Sequence, residues 1–429
     1  MTLVLVVLFG LMLLGIPVAF AILSAGMAYL ATTGGSMLVV AQRLIYGLNS
    51  FTLLAVPLFI LVGNLMDFGG ISKRLTDWEK SILGWLPGGL GIVTVFSCAI
   101  FAALTGSGPA TVAAIGSIML PSMLKAGYSR ETSAGLVASA GALGPIIPPS
   151  IPMIIYGVTM NLSIPAMFMA GVVPGLVIAL ALSLVNVVFA YRNPEVLKHA
   201  KTMKFDFKES MKLFWKALGA LGLPVLILGG IYGGIFTPTE SAAVGIVYAL
   251  ILGFALKELK VKDLPKILIN SLKTSTMVNF IIAAASLFSW VVSKSQIGIV
   301  ISNAFISFVG GSRALYLFVL VVVLLIVGCL MDNVAATLIL APILIPVGIA
   351  LGCNELHIGM LFCICLVVGF VTPPFGYNLF TAVSISGLNF KQIVKGALPF
   401  LLTEILLLFV FAYVPGIITW LPRLMGYGY

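Results

Sequence analysis

Long apolar runs, interrupted at intervals by glycine, proline and small polar residues, set the organisation of this chain. A helix needs about 20 apolar residues to cross the hydrocarbon of a bilayer. Residues 2–31 supply one tilted crossing with Pro17 as a kink, and 52–68, 166–191, 217–236, 241–256, 275–292 and 398–414 supply further ones. Residues 37–49, 71–85 and 267–273 mix charged with apolar positions, as amphipathic arms along the interface do.

Two stretches do not fit simple crossings. Residues 81–124 carry no charge, yet Thr105-Gly106-Ser107-Gly108-Pro109 interrupts them. Either two full helices meet in a tight loop on the far side, or a re-entrant hairpin turns inside the membrane. The flanks, about 15–18 residues each, are at or below the spanning minimum and favour the hairpin. Residues 131–143 and 151–160 are each too short to cross, and together make one helix broken at 144–150. The pattern recurs. Residues 314–350 are interrupted at Met331-Asp332-Asn333-Val334, and 357–370 and 377–386 flank a break at Val371-Thr372-Pro373-Pro374-Phe375-Gly376. Lipid offers no hydrogen bonds, so such breaks survive only against protein or a polar cavity.

Composition agrees. The chain has 429 residues, 61% hydrophobic and 8% charged, with a mean hydropathy of +1.20. Soluble domains average about 25% charged residues, so the chain is a polytopic membrane protein. Its net charge of +10 sits in loops, which reads as cytoplasmic retention of positive charge rather than a nucleic-acid surface. Residues 192–216 and 257–266, with Lys391 and Lys395, mark that side. The five cysteines match no metal or haem spacing. The first apolar run lacks a basic n-region and is too long for a signal peptide, so it reads as a retained helix.

The two interrupted stretches align without a gap at an offset of 225 residues. Pro121 falls on Pro346, Gly127 on Gly352, Gly144 on Gly369, Pro148-Pro149 on Pro373-Pro374, and the tip Ser107-Gly108 on Asp332-Asn333. Lys73, Lys80, Lys125 and Arg130 bracket the first hairpin, whereas no Lys or Arg occurs from 314 to 390. The repeat is therefore inverted, a construction common in secondary transporters.

A broken helix leaves carbonyls free at one end and N–H groups at the next. The first suit Na⁺, the second an anion. Candidate Na⁺ ligands are Thr105, Ser107, Gly108, Gly144, Ile147 and Pro149 in the first half, and Asp332, Asn333, Gly369 and Thr372 in the second. Candidate substrate contacts are Pro148, Ser150, Thr337, Pro373 and Asn378. The plain alternative is that the hydroxyls bond their own helices and the prolines only kink. Asp332 has three possible roles: cation ligand, cap of the hairpin turn, or partner of a lysine such as Lys294. Glu404 is read as near an interface or paired with a partner subunit.

The tips TGSGPATVAAIG and MDNVAAT and the breaks GPIIPPS and GFVTPPFGYN resemble the large membrane (M) subunit of TRAP transporters along essentially the whole chain. That resemblance implies an all-α inverted-repeat elevator with two re-entrant hairpins and two broken helices in a bacterial inner membrane. It also implies uptake of an acidic solute driven by Na⁺, with a periplasmic substrate-binding protein and a small four-helix membrane (Q) subunit, here expected as a separate chain. The sequence looks closest to the sialic-acid branch. On this reading 81–162 and 296–390 form the transport domain, and 1–80, 163–295 and 391–429 the scaffold. A self-sufficient Na⁺/dicarboxylate symporter competes, but such proteins typically carry Ser-Asn-Thr at both tips. An intramembrane hydrolase is disfavoured because neither His199 nor His357 is placed for a triad. No Walker A sequence is present.

Overall fold

A computed structural model describes residues 2–428, and these are helical without strands. The N-terminal run forms two helices, α1 (Thr2–Leu13) and α2 (Val18–Thr33), packed on each other, rather than one kinked crossing. Pro17 stands at the N-cap of α2, where its missing N–H costs nothing, so it separates two helices. The first arm, α3 (Leu38–Leu48), has no buried residue. A 3₁₀ turn leads into α4 (Ala55–Phe68), and the second arm is α5 (Ile71–Leu83).

The first interrupted stretch becomes α6 (Gly89–Thr105), α7 (Gly108–Lys125), α8 (Arg130–Ala140) and α9 (Ile151–Met160). Serines begin the later helices: Ser129 accepts from Thr132 N at 3.0 Å at the start of α8, and Ser163 caps α10 (Ile164–Tyr191). The basic segment is more ordered than its charge predicts. It holds α11 (Pro194–Thr202) and the first turns of α12 (Phe207–Tyr232), which Asp206 caps. A Thr237–Glu240 capping box opens α13 (Pro238–Ala255). The predicted arm 267–273 and crossing 275–292 are one helix, α14 (Leu264–Lys294), of 31 residues. At 1.5 Å per residue it is roughly 46 Å long, enough to cross and protrude. After α15 (Ile297–Phe308), which the apolar pattern did not resolve, come α16 (Arg313–Leu330), α17 (Asn333–Ala350), α18 (Glu355–Gly369) and α19 (Tyr377–Ser386). The chain ends with α20 (Phe390–Tyr413), which already includes Lys391 and Lys395, and a short α21 (Gly416–Leu424). Among the described residues, eight helical segments are long and apolar enough to cross a membrane.

The predicted offset holds in three dimensions: α6–α9 and α16–α19 repeat the same order with starts that match at the offset to within a residue, and Pro148-Pro149 and Pro373-Pro374 are both cis. The halves exchange contacts reciprocally. Helix α7 packs on α19 of the other half, and α17 packs on α9. These eight helices form the centre, where every residue from Leu356 to Gly369 is buried. Helix α20 packs most extensively on α8, not on the outer helices. There, a Cβ on Gly135 would come 2.2 Å from the Gly396 carbonyl carbon, and one on Gly396 2.0 Å from Glu131 O. Only glycine permits so close a backbone approach. Glu404, expected near an interface, is instead 1% exposed on the packed face of α20, and neither of its oxygens has a partner.

Candidate functional site

Both tips turn inside the protein. The first consists of Gly106 and Ser107 between α6 and α7, and Thr105, Gly106 and Gly108 are buried. Gly106 adopts a φ of +60°, and a Cβ there would lie 3.1 Å from Pro149 O. The tip therefore rests against the break of the broken helix, midway along it. A turn packed in this way, inside the molecule, has the form expected of a re-entrant hairpin.

Around the first tip, backbone and side-chain oxygens converge. A Cβ on Gly144 would meet Ser107 O at 2.7 Å, and one on Gly108 would meet Asn378 Oδ1 at 2.8 Å and Gly141 O at 3.3 Å. Asn378, from the second half, donates Nδ2 to Ala138 O at 3.1 Å. It is fully buried, and its Oδ1 has no partner. A buried amide oxygen without a donor is costly unless something else binds it. Thr105 Oγ1 lies 3.2 Å from Thr111 Oγ1, which itself donates to Ser107 O at 2.8 Å.

The second tip is built differently. Asp332 accepts from Val334 N at 2.8 Å and so caps α17. Among the described residues it has no ion pair with Lys294. Asn333 is 3% exposed with neither amide atom partnered, and Thr337 is fully buried with its hydroxyl unpartnered. Three polar atoms in the first turns of α17, Asn333 Oδ1 and Nδ2 and Thr337 Oγ1, are thus buried without a partner. Gly369 touches the end of α16, where its Cβ would lie 2.5 Å from the Gly328 carbonyl carbon.

A cavity of about 310 Å³ joins the two halves. Its wall includes Thr105, Ser107, Gly108, Asp332 and Asn333 from the tips, and Ile151, Phe370 and Tyr377 from the breaks. Helices α7, α9, α17 and α19 begin at this wall, so four positive helix ends face it. The other candidates stand behind it. Ser150 is fully buried, donates to Pro145 O and caps α9. Thr372 donates to Val368 O at 3.0 Å. Ile147 packs against Gly175 of α10, whose Cβ would lie 2.6 Å from it. Gly144, Pro148, Pro149, Thr337, Gly369, Pro373 and Asn378 also lie off the cavity wall.

The opposite wall was missed in the sequence. Asn64 and Asp67 of α4 and Thr274 and Met277 of α14 line it, and Asn64 Nδ2 donates to Ser271 at 2.8 Å. The pair of polar residues inside the apolar run Leu58–Phe68 was the available signal, since polar groups in a membrane helix face a cavity or a partner. The cavity wall contains Asp67 and Asp332 but neither Lys nor Arg.

The family model described as "Tripartite ATP-independent periplasmic transporter, DctM component" matches residues 5–417. The C4-dicarboxylate TRAP transporter large permease protein DctM of Pseudomonas aeruginosa is 39% identical, over 94% of each chain. The isethionate TRAP transporter permease protein DctMQ of Oleidesulfovibrio alaskensis is also 39% identical, over 95% of this chain; the match spans only 64% of that protein's length. The sialic acid TRAP transporter large permease protein SiaM of Vibrio cholerae is 33% identical over 98% of each. Among solved structures, the Alcanivorax borkumensis YdaH transporter superposes with a TM-score of 0.59 at 14% identity, covering 94% of this chain and 90% of that one. That likeness concerns the fold.

Proposed function

The chain belongs to the DctM-component family of tripartite ATP-independent periplasmic transporters, and on that footing we propose that it imports an acidic solute by Na⁺-coupled alternating access. It is a multi-pass large permease subunit, not an enzyme, as its relatives are named. The observation that carries the reading is the pair of inward-turned tips, each next to unpartnered buried oxygens, on either side of one cavity. Side-chain and backbone oxygens are available at both tips, and oxygen ligands suit a hard cation. One Na⁺ sits among Ser107 O, Gly141 O and Asn378 Oδ1, and a second among Asp332, Asn333 and Thr337. With no basic side chain on the wall, the solute's carboxylate is held by the bound cations and the four helix ends.

The hairpins and broken helices, with α10 and α20 packed on them, move as one body past α4 and α14. This transfers α10 and α20 from the scaffold to the moving part, in line with the packing of α20 on α8 and of α10 on α6, α9 and α20. A periplasmic binding protein delivers the solute and a small four-helix subunit, on a separate chain, completes the permease. The solute is a carboxylate or a related acid. Relatives of 33–39% identity are named for isethionate, C4-dicarboxylate and sialic acid, and sialic acid is kept as the first to test. The test is uptake into proteoliposomes holding this chain and its small subunit, with binding protein outside. Uptake of sialic acid, succinate or isethionate that needs both Na⁺ and the binding protein is the expected result. Uptake indifferent to either overturns the mechanism.

A further inference from the structure

A second cavity, of about 600 Å³, continues along the same seam between scaffold and core. Its relation to the first can be read along two shared helices. On α9, Ile151 and Pro152 line the first cavity, and Ile155, Val158 and Thr159 line the second. On α14, Thr274 and Met277 belong to the first, and Ser286, Ser289, Trp290 and Ser293 to the second. Thr274 and Ser289 are roughly 22 Å apart along the helix at 1.5 Å per residue. The N-terminal end of α14 follows the basic segment 257–266, which places it on the cytoplasmic side. The first cavity therefore lies towards the cytoplasm and the second towards the opposite face.

The two scaffold walls differ in charge. The first offers Asp67; the second offers Arg43 of the arm α3 and no carboxylate. The half-buried guanidinium lies 5.6 Å from the Tyr46 ring and 5.5 Å from the Trp290 ring. Among the described residues, no carboxylate pairs with it. A guanidinium held over aromatic faces by cation–π attraction still has N–H groups to offer an oxyanion. Asn49, Ser50, Thr159, Ser286 and Ser289 add hydrogen-bonding groups around it.

We propose that this second cavity is a binding site for the carboxylate of the transported solute on the outward side, with Arg43 as the residue that receives it. The proposal rests on the alternating-access reading, because it needs the tips to come level with this stretch of α14 in the other state. The charge then changes along the route: a cation draws the anion in at Arg43, and the carboxylate of Asp67 disfavours its retention on the inner side.

The test uses Trp290, which stacks on Arg43, as its probe. The full chain is placed in phosphatidylcholine vesicles without Na⁺, and quenching by iodide and by neutral acrylamide is compared, with Trp290→Phe defining the Trp290 share. Arg43→Gln is expected to reduce the iodide quenching of Trp290 at least about two-fold, since a fixed cation raises the local anion concentration. Acrylamide quenching should stay unchanged and Arg43→Lys should restore the iodide effect. External succinate or gluconate should protect Trp290 from iodide in the wild type and not in Arg43→Gln. Equal iodide quenching in Arg43→Gln and wild type overturns the proposal, as does a parallel change in acrylamide quenching, which would make Arg43 a packing residue. Protection by phosphatidylglycerol but not by soluble carboxylates also overturns it, by assigning the site to a lipid headgroup. No step requires Na⁺ or turnover, so a failure of coupled uptake with these results intact would fall on the transport mechanism and not on the anion site.

Discussion

A Cβ placed on Gly108 would come within 2.8 Å of Asn378 Oδ1, so a side chain of the second half completes the tip of the first. The two residues are 270 positions apart in sequence. The missing Cβ leaves the amide oxygen beside the Ser107–Gly108 turn, fully buried and without a donor. Gly108→Ala should drive this contact apart and cost about 1–3 kcal/mol, as overpacking of a tight interior does. Asn378→Ala should instead fold well and weaken the stabilisation by Na⁺. Losing one neutral ligand raises the half-saturating Na⁺ concentration about tenfold for each 1.4 kcal/mol lost. Thermal unfolding in NaCl against choline chloride at equal ionic strength measures both.

Thr337 allows a sharper discrimination at the other tip. Its hydroxyl is fully buried and unpartnered. If no cation binds there, removing it with Thr337→Val relieves an unsatisfied polar group and stabilises the protein by about 1 kcal/mol in any salt. If Na⁺ is its partner, the variant gains stability only in choline and falls behind the wild type in NaCl. The expected outcome is the second, a reversal of order between the two salts. A gain of equal size in both would remove Thr337 from the site.

Much of this architecture could be read from the chain. The 225-residue offset, the paired prolines and the polar tips located both hairpins and both broken helices to within a few residues. What could not be read were relations between distant elements. Asn378 lies just past the Pro373-Pro374 break of the second half, and the α7–α19 packing carries it to the tip of the first. Asn64 and Asp67 are two polar residues in an otherwise apolar crossing, which marks a cavity or partner there but not which helices face it. Helix boundaries failed where charge was taken for a loop, as at Lys208 and Lys212 in α12. Charged residues at a membrane surface do not stop a helix when its apolar face continues.

Asp67 faces the cavity across from Asp332 with no basic side chain on the wall. Asp67→Asn should therefore raise affinity for an anion entering from the cytoplasmic side. One unit charge at close range through a partly wet path corresponds to about a five- to tenfold effect, shrinking as salt is raised. Counterflow in inside-out vesicles at low and high KCl checks the size and the salt dependence together.

Glu79, on the interfacial arm α5, gives a pH prediction. It is 3% exposed and accepts from Ser97 of α6, while its Oε1 has no partner. Burial pushes its carboxyl from 4.5 up to about 8, against the Ser97 hydrogen bond and neighbouring Lys80, which favour the ionised form. The folded chain therefore keeps a proton that the unfolded chain releases near 4.5, and it binds more protons throughout that window. Stability should fall as pH rises from about 5 to 8. Glu79→Gln should flatten that part of the profile and leave the melting temperature near that of the wild type at pH 5. Melting curves from pH 5 to 9 in one buffer series read the slope directly. A slope unchanged in Glu79→Gln would place its origin elsewhere.

Two contacts distinguish the helices that travel together from those that stay. Gly63 of α4 lies against the first hairpin, where its Cβ would stand 3.2 Å from Leu104 O. His357 of α18 joins its Nε2 to Phe411 O of α20 at 2.8 Å. If the core slides past α4 while α20 rides with it, the first contact must break in every cycle and the second never does. Replacing the five native cysteines by serine or alanine leaves only the introduced pair, which is joined by oxidation to a disulfide. Cross-linking Gly63→Cys to Leu104→Cys should abolish Na⁺-driven uptake, with recovery when the link is reduced. Cross-linking His357→Cys to Phe411→Cys should leave the rate within about two-fold of the same variant before treatment, since packed elements that move as a unit keep their contacts. Blocked uptake in the second pair would return α20 to the stationary scaffold. Undiminished uptake in the first would show that α4 and the hairpin do not part, and that access to the cavity alternates by local gating at the tips instead.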